Sequence, residues 1–314
     1  MNKSDLVAVT SRSFSKNEKL IKELQSKYKK IKLNEKGLSL SGQDLVSFCL
    51  DADKVIVGLE KFDSNILQHL PNLKVISKYG VGLNNLDLSE LKKRGIKLGF
   101  TPGVNKRPVA ELAMSLIFTS LRRTHKSLEE IKNRIWSQDR GNELYRKTVG
   151  ILGFGNIGSL LYDLIRPFDC NILVYEINKI NNEDINQTNL EEIAKKADIL
   201  SIHLPLTAET NYLINDNFLN LCKKDLKIIN TSRGGIINEK HLERFLQENH
   251  NAFAALDVFE EEPQIHPGLL QSDKVVLLPH IGSATWRTRK VMADMCARNL
   301  IAGLNDQPLP NRVQ

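Results

Sequence analysis

Three glycines at a fixed spacing, an acid, an arginine and a histidine are the residues of this sequence best able to do chemistry together. Gly153-x-Gly155-x-x-Gly158 follows the strand-like run Val149–Leu152 and opens a helical pattern, with Phe154, Asn156 and Ile157 between the glycines. In a dinucleotide-binding βαβ unit the first glycine makes the tight turn. The second lets backbone approach a pyrophosphate, and the third lets helix pack on strand. The helix start adds free N–H groups and a partial positive charge that suit phosphates. The next apolar run ends in Glu176, 18 residues after Gly158, where an acid holds a ribose 2′-hydroxyl. An isolated glycine motif is weak, and its bland reading is an ordinary strand–turn–helix. The strand before it and the acid after it add weight. Its place is unusual: halfway along the chain rather than at the start.

Three later stretches carry reactive side chains. Asn230-Thr-Ser-Arg-Gly-Gly235 puts Thr231 and Arg233 just after a strand-like run, and the carboxyl ends of parallel strands are where ligands sit in open α/β sheets. Ala255-Leu-Asp-Val-Phe-Glu-Glu-Glu-Pro263 carries Asp257 and three consecutive glutamates, and Leu278-Pro-His280-Ile-Gly-Ser-Ala-Thr285 carries a histidine. Taken singly, an arginine after a strand is more often in a surface ion pair, a lone histidine is more often structural, and three glutamates in a row form a solvated turn.

The elements that must position these residues alternate. Leu6–Thr10, 53–58, 74–77 and 96–98 read as strands, with helices over Ser15–Tyr28, 64–69 and 88–94. Pro102-Gly103 and Pro108 then punctuate the chain, and Val109–Arg122 reads as a helix apolar almost all round, which must be buried. A second alternating series follows, with strands over 149–152, 172–176, 198–203, 227–230, 253–257 and 275–278. Its helices are expected over 155–166, 190–195 and 239–247, and a last one over 288–304. The short 308–314 tail is expected at most to return to the first domain. Such alternation implies parallel sheets covered on both faces.

Composition excludes several classes. Of 314 residues, 41% are hydrophobic and 26% charged, as in soluble globular chains of about two domains. No apolar run approaches a membrane span, so no membrane partner is expected. The net charge of +7 comes from dispersed lysines; the densest region, Lys16–Lys36, reads as an amphipathic helix face rather than a nucleic-acid motif. A basic surface suits small anionic substrates. Four scattered cysteines without a histidine cluster point to a reducing, cytoplasmic location and to no metal.

Together these stretches resemble the D-isomer-specific 2-hydroxyacid dehydrogenase family, over essentially the whole chain. Lys78-Tyr-Gly-Val-Gly82, Asn84-Asn-Leu-Asp87, Thr101–Asn105 and Val109–Leu112 fit the same pattern in the same order. Within the family the chain most resembles the phosphoglycerate dehydrogenases, through Val9–Phe14 and Asp257–Pro263, without the regulatory domain many of them carry. The resemblance implies two doubly wound parallel-sheet α/β domains: a Rossmann NAD-binding domain, 103–285, inserted into a flavodoxin-like substrate domain, 1–102 plus 286–314. It also implies a homodimer, for which the Val109–Leu121 helix offers one surface.

Mapped residue by residue, the resemblance makes His280 the acid/base, Glu262 the carboxylate that orients it, and Arg233 the group that binds the substrate carboxylate. Lys78, Tyr79, Gly80, Val81 and Gly82 correspond to the substrate loop, with the Val81 and Gly82 amides holding the other side of the carboxylate. His203, Leu204, Pro205 and Thr207 line the adenine side, Asp257 lies near the nicotinamide carboxamide, and Thr231 and His280 complete the cofactor contacts. Glu176 favours NAD over NADP. The implied reaction is NAD-dependent interconversion of a D-2-hydroxy acid and a 2-keto acid. Oxidation of 3-phosphoglycerate in serine biosynthesis comes first, reduction of glyoxylate or hydroxypyruvate second, and a dinucleotide-sensing binding protein third. One departure weighs against the first. Phosphoglycerate dehydrogenases carry arginines after the strand at Val55–Val57, whereas this chain has Leu59-Glu-Lys-Phe-Asp63. Lys61 offers a positive charge there, and Arg12, Lys78, Lys106 and Arg107 offer others, but Glu60 repels a phosphate.

Overall fold

The computed structural model describes residues 5–304. Its first stretch runs β1 (Leu6–Val9), α1 (Arg12–Ser15), α2 (Glu18–Lys27), β2 (Lys30–Leu33), α3 (Gly42–Cys49), β3 (Lys54–Val57), α4 (Ser64–Leu67), β4 (Val75–Lys78), α5 (Leu88–Lys93) and β5 (Lys97–Gly99). The middle stretch runs α6 (Lys106–Arg122), α7 (Thr124–Lys132), β6 (Thr148–Leu152), α8 (Asn156–Ile165), β7 (Asn171–Tyr175), α9 (Leu190–Lys196), β8 (Ile199–Ile202), α10 (Asp216–Leu219), β9 (Lys227–Asn230), α11 (Glu239–Glu248), β10 (Phe253–Leu256), α12 (Pro267–Leu270) and β11 (Val275–Leu277). The chain then closes with α13 (Trp286–Leu304). Two compact units result, one of residues 1–105 with 285–314 and the other of 106–284. The 308–314 tail lies outside the described residues.

The first unit is a five-stranded parallel sheet in the order β2-β1-β3-β4-β5. β3 and β4 are buried along their whole length, which is why they read as unbroken apolar runs rather than alternating ones. The strand order reverses between β1 and β3, a topological switch point at whose carboxyl edge ligands bind in such sheets. α13 packs against this sheet: the Ser77 hydroxyl donates to the Cys296 carbonyl at 3.2 Å. The lysine-rich region differs from expectation. The Asn17 side chain caps α2 by accepting from the Leu20 N–H at 3.3 Å, so the expected single helix breaks there. α2 ends at Lys27, and Lys30–Leu33 form an edge strand instead of more helix.

The second unit is a six-stranded parallel sheet, β11-β10-β9-β8-β6-β7. Beyond β7 a bridge from Val174 to Gln187 stands where a further strand belongs, completing the Rossmann order with that strand reduced to one pairing. α6 buries Ala110, Ala113, Leu116, Ile117 and Leu121 in the core beneath β6 and α8. The exposed apolar residues nearby are instead Leu128, Ile131, Ile135 and Trp136, on α7 and the turn after it.

Among the described residues no helix is long and apolar enough to cross a membrane. No group of three or more His, Cys, Asp or Glu side chains there is placed to hold a metal.

Candidate active site

The carboxyl edge of the second sheet gathers most of the expected residues. β6 ends at Leu152, and Gly153 turns the chain with φ +92°. A Cβ on Gly153 would lie 2.8 Å from the His203 carbonyl oxygen, and one on Gly158 only 2.0 Å from the Gly153 oxygen. Gly155 differs, because a Cβ there would meet nothing within 4 Å. Turn and packing therefore explain the first and third glycines, while the second keeps space open for something else. Gly155 and Asn156 are exposed at the start of α8, and Ile157 packs against the core. The Phe154 N–H donates to Glu176 Oε2 at 2.9 Å, and Glu176 Oε1 accepts from the Ile177 N–H at 2.9 Å. Glu176 thus ties the end of β7 to the glycine loop.

The loop after β8 is held differently from expectation. Leu204 is buried in the core, so its side chain presents nothing to a ligand. Thr210, which the sequence did not single out, donates to the Pro205 carbonyl at 2.6 Å and accepts from the Thr207 N–H at 2.8 Å. The His203 Nε2 lies 2.9 Å from the Ser201 hydroxyl. Thr231, just past β9, buries a hydroxyl that has no hydrogen-bond partner among the described residues. An orphaned buried hydroxyl at the carboxyl edge of a parallel sheet fits a bound ligand better than it fits an empty interior.

Arg233, Glu262 and His280 stand at neighbouring strand ends. The Asn230 side chain shapes the turn after β9: its Oδ1 accepts from the Ser232 N–H at 3.0 Å and its Nδ2 donates to the Arg233 carbonyl at 2.9 Å. Gly234 then packs so tightly that a Cβ would lie 1.9 Å from the Phe259 carbonyl carbon. This brings the stretch after β9 against the stretch after β10. Glu262 Oε2 lies 2.8 Å from His280 Nδ1, and Glu262 Oε1 accepts from the Phe259 N–H at 3.1 Å. Burial alone would raise the Glu262 carboxyl, but the His280 hydrogen bond and charge, the Phe259 N–H and the Arg233 charge together hold it below its ordinary range. Burial likewise lowers the Arg233 guanidinium, and the Glu262 charge pushes back up.

His280 sits in the left-handed region with φ +54°, a conformation that a non-glycine residue keeps only when its surroundings enforce it. Here the enforcement comes from Asp257, whose two carboxylate oxygens accept from the Ile281 and Gly282 N–H groups at 2.7 Å each. Burial raises the Asp257 carboxyl most, while those two N–H bonds and the His280 charge pull it down. Its nearest work is therefore to hold the histidine loop.

In the first unit, the Lys78–Gly82 stretch leaves β4 at the carboxyl edge. Lys78 is buried, its ammonium donating to the Gly58 carbonyl and, at 2.8 Å, to Asn85 Oδ1. Tyr79 turns into the core edge-on to Phe14, with ring centres 5.4 Å apart. Of the five residues, Gly80, Val81 and Gly82 are half-buried and present main chain. The neighbouring loop after β3 holds a feature unforeseen in its geometry. Glu60 Oε2 folds back to accept from the Gly58 N–H at 2.8 Å and the Thr10 hydroxyl at 2.9 Å. It therefore sits across the β1/β3 switch point.

Comparison with known proteins decides the family. Residues 114–282 match the sequence model described as the D-isomer specific 2-hydroxyacid dehydrogenase NAD binding domain. A glyoxylate reductase of Thermofilum pendens is 40% identical over 286 residues, covering 86% of this chain and 84% of that protein. The chain belongs to the D-isomer-specific 2-hydroxyacid dehydrogenases. Human glyoxylate reductase/hydroxypyruvate reductase is 39% identical, with 77% of each chain covered. Among solved structures, a D-isomer specific 2-hydroxyacid dehydrogenase of Polaromonas superposes with a TM-score of 0.90 at 26% identity over 99% of both chains. An NADPH-dependent glyoxylate/hydroxypyruvate reductase of Sinorhizobium meliloti superposes with a TM-score of 0.86 at 26% identity, over 98% of this chain and 96% of that one.

In this dehydrogenase the second unit is the NAD-binding domain. The open face of Gly155, the N-terminal turn of α8, Glu176 and the orphaned Thr231 hydroxyl are the groups that suit the dinucleotide. When bound, the nicotinamide supplies or accepts the hydride. An imidazole whose Nδ1 faces a carboxylate is fixed in orientation and tautomer, and the His280 Nε2 makes no hydrogen bond among the described residues.

Proposed function

We propose that this dehydrogenase reduces small, unphosphorylated 2-keto acids of the glyoxylate and hydroxypyruvate class to D-2-hydroxy acids, using NADH. The observation that carries the choice of substrate is Glu60. A carboxylate held across the switch point of the first sheet, with its position fixed by two hydrogen bonds, disfavours a second anionic group at that edge. Lys78, one candidate for offsetting it, points its ammonium at the Gly58 carbonyl and Asn85 Oδ1. The names of the relatives point the same way: they are glyoxylate reductases, so the second of the two expected substrates is preferred over 3-phosphoglycerate.

In this reading Arg233 grips the substrate carboxylate with its planar fork of donors and polarises the carbonyl. His280 gives its proton to the carbonyl oxygen as the hydride arrives, and Glu262 stabilises the imidazolium that precedes this. Glu176 favours NAD over NADP by its charge at the ribose. The active species is a homodimer, whose contact is the exposed apolar row Leu128, Ile131, Ile135 and Trp136; Trp136 is 85% exposed, and exposed apolar patches of this kind mark interaction sites.

The test is a substrate panel read by NADH absorbance: glyoxylate, hydroxypyruvate and 3-phosphohydroxypyruvate for the wild type and for His280→Gln. We expect turnover of the first two, poor use of the third, and a loss of about a thousandfold or more in kcat for His280→Gln with NADH binding kept. Efficient use of the phosphorylated acid would reverse the choice of substrate, and an active His280→Gln enzyme would remove His280 from the chemistry. Sedimentation of the same preparation should give twice the chain mass; a monomer would sink the dimer.

A further inference from the structure

Glu239 opens α11 and is buried, with 6% of its surface exposed. Its backbone N–H is one of the donors that a helix start leaves unpaired. Glu260 takes it, the Oε1 atom accepting at 2.7 Å. In return the Glu260 N–H donates to Glu239 Oε1 at 2.7 Å. The Tyr212 hydroxyl donates to Glu260 Oε2 at 3.0 Å, and the Tyr212 N–H donates to the Gly235 carbonyl at 2.8 Å. Three separate stretches, at Tyr212, Gly234–Glu239 and Phe259–Glu262, are thereby joined.

Two like charges are costly to hold at one buried turn, and isolated glutamates there would favour protonation. Burial does raise the Glu239 carboxyl, and hydrogen bonds from the Glu260 and His266 backbone pull it back. The stretches so joined are those that carry Arg233 and Glu262. Arg233 directly precedes Gly234, which has no room for a Cβ against Phe259, and Glu262 lies two residues beyond Glu260. Neither Glu239 nor Glu260 bonds to His280.

We propose that Glu239 and Glu260 are positioning residues: a reciprocal clasp that sets the Glu262 carboxylate against the His280 imidazole and Arg233 beside both. The clasp rests on the reading of Arg233, Glu262 and His280 given above. Charge-assisted bonds from two backbone donors make it stiffer than amide contacts would be, and small errors in the placement of an acid/base group are expensive in rate.

The test compares Glu260→Ala, Glu260→Gln and Tyr212→Phe with the wild type, each below its melting temperature. Hydroxypyruvate kinetics, NADH affinity and the downfield proton resonance of the His280 Nδ1–H bonded to Glu262 are measured. Glu260→Ala should lower kcat by about ten- to a hundredfold, leave the NADH Kd within about twofold, and move the resonance upfield. Glu260→Gln keeps an acceptor for the Glu239 N–H and a partner for Tyr212 but loses the charge, so it should restore most of both signals. Tyr212→Phe, which removes one bond, should show the same change at smaller amplitude and decides the matter if the alanine variant does not fold. Wild-type kcat and an unmoved resonance in Glu260→Ala, or in Tyr212→Phe where the alanine variant does not fold, would overturn the clasp. An inactive wild type whose resonance still moves in Glu260→Ala would sink the substrate reading while leaving the clasp supported.

Discussion

The carboxyl edges of the two sheets obey the same topological rule and are filled in opposite ways. At its carboxyl edge the second unit places three glycines and an exposed helix start beside β6, and an orphaned hydroxyl after β9. At the β1/β3 switch the first unit places Glu60, its carboxylate tied to Gly58 and Thr10. One edge is open at Gly155 and offers the N–H groups of a helix start, which suits an anionic phosphate, while its carboxylate, Glu176, is tied to the Phe154 N–H at the end of β7. The other has been filled with a negative charge, which disfavours a second anion. The fold supplies a binding crevice in both units, and the residues at the strand ends decide what each accepts.

The glycines allow the sharpest attack on this contrast. Gly158→Ala drives a methyl to 2.0 Å from the Gly153 oxygen, and overpacking of this kind costs about 1–3 kcal/mol. The strain falls on the loop that takes the dinucleotide, so NADH affinity should fall by about a hundredfold, with a lower melting temperature. Gly155→Ala meets no protein atom and has ordinary backbone angles. It should leave the melting temperature unchanged and still weaken NADH, by about tenfold. Titration of NADH fluorescence and calorimetry on both variants check this. If Gly155→Ala binds NADH as the wild type does, no ligand comes close to Gly155 and the open edge has another cause.

The opposite edge is tested by removing its charge. Glu60→Gln keeps an acceptor for Gly58 and Thr10, so the loop should hold its shape. The ratio of kcat/KM for 3-phosphohydroxypyruvate to that for hydroxypyruvate should then rise by about tenfold, the size expected for removing one partly solvated like charge. An unchanged ratio would mean that Glu60 only braces the loop.

Much of the second edge was legible in the sequence, because its parts are local. A glycine spacing within six residues, a strand before it and an acid after it leave one local geometry. His280, Glu262 and Arg233 were legible only jointly, through the order of several stretches, since each alone has a commoner structural explanation. The first edge was legible in charge but not in shape. Glu60 visibly disfavours a phosphate, yet its bond to Thr10 exists only because β1 and β3 are neighbours, and pairing across some fifty residues leaves no local signature. The apolar 109–122 helix was identified, but its apolar surface is largely used in the core, and the exposed apolar row lies on α7. Hydrophobicity alone does not reveal which face a neighbour covers. The Glu239–Glu260 clasp was hidden for the same reason, since a run of three glutamates reads as a solvated turn until α11 is placed beside it.

The smallest effect concerns whether the glycine edge keeps its potential free of a competing charge. His203 closes that edge from below, its carbonyl packed under Gly153. Burial lowers its imidazole to about 4, and its Nδ1 has no partner among the described residues, so at neutral pH it is uncharged and adds no charge beside the glycine loop. The sign of the pH effect follows from a base whose folded pKa is depressed. Between about 6.5 and 4 the unfolded chain binds a proton that the folded chain refuses. The stability is therefore intact above that window and is lost as pH falls through it. From pH 7 to pH 6 the loss is about 0.7 kcal/mol, or about 1–3 °C in a transition of this size. His203→Gln can keep the bond to Ser201 but cannot titrate, so its calorimetric transition should shift less than the wild type's over that interval. Equal shifts in the two proteins would place the titrating group elsewhere and show that the neutral edge does not depend on His203.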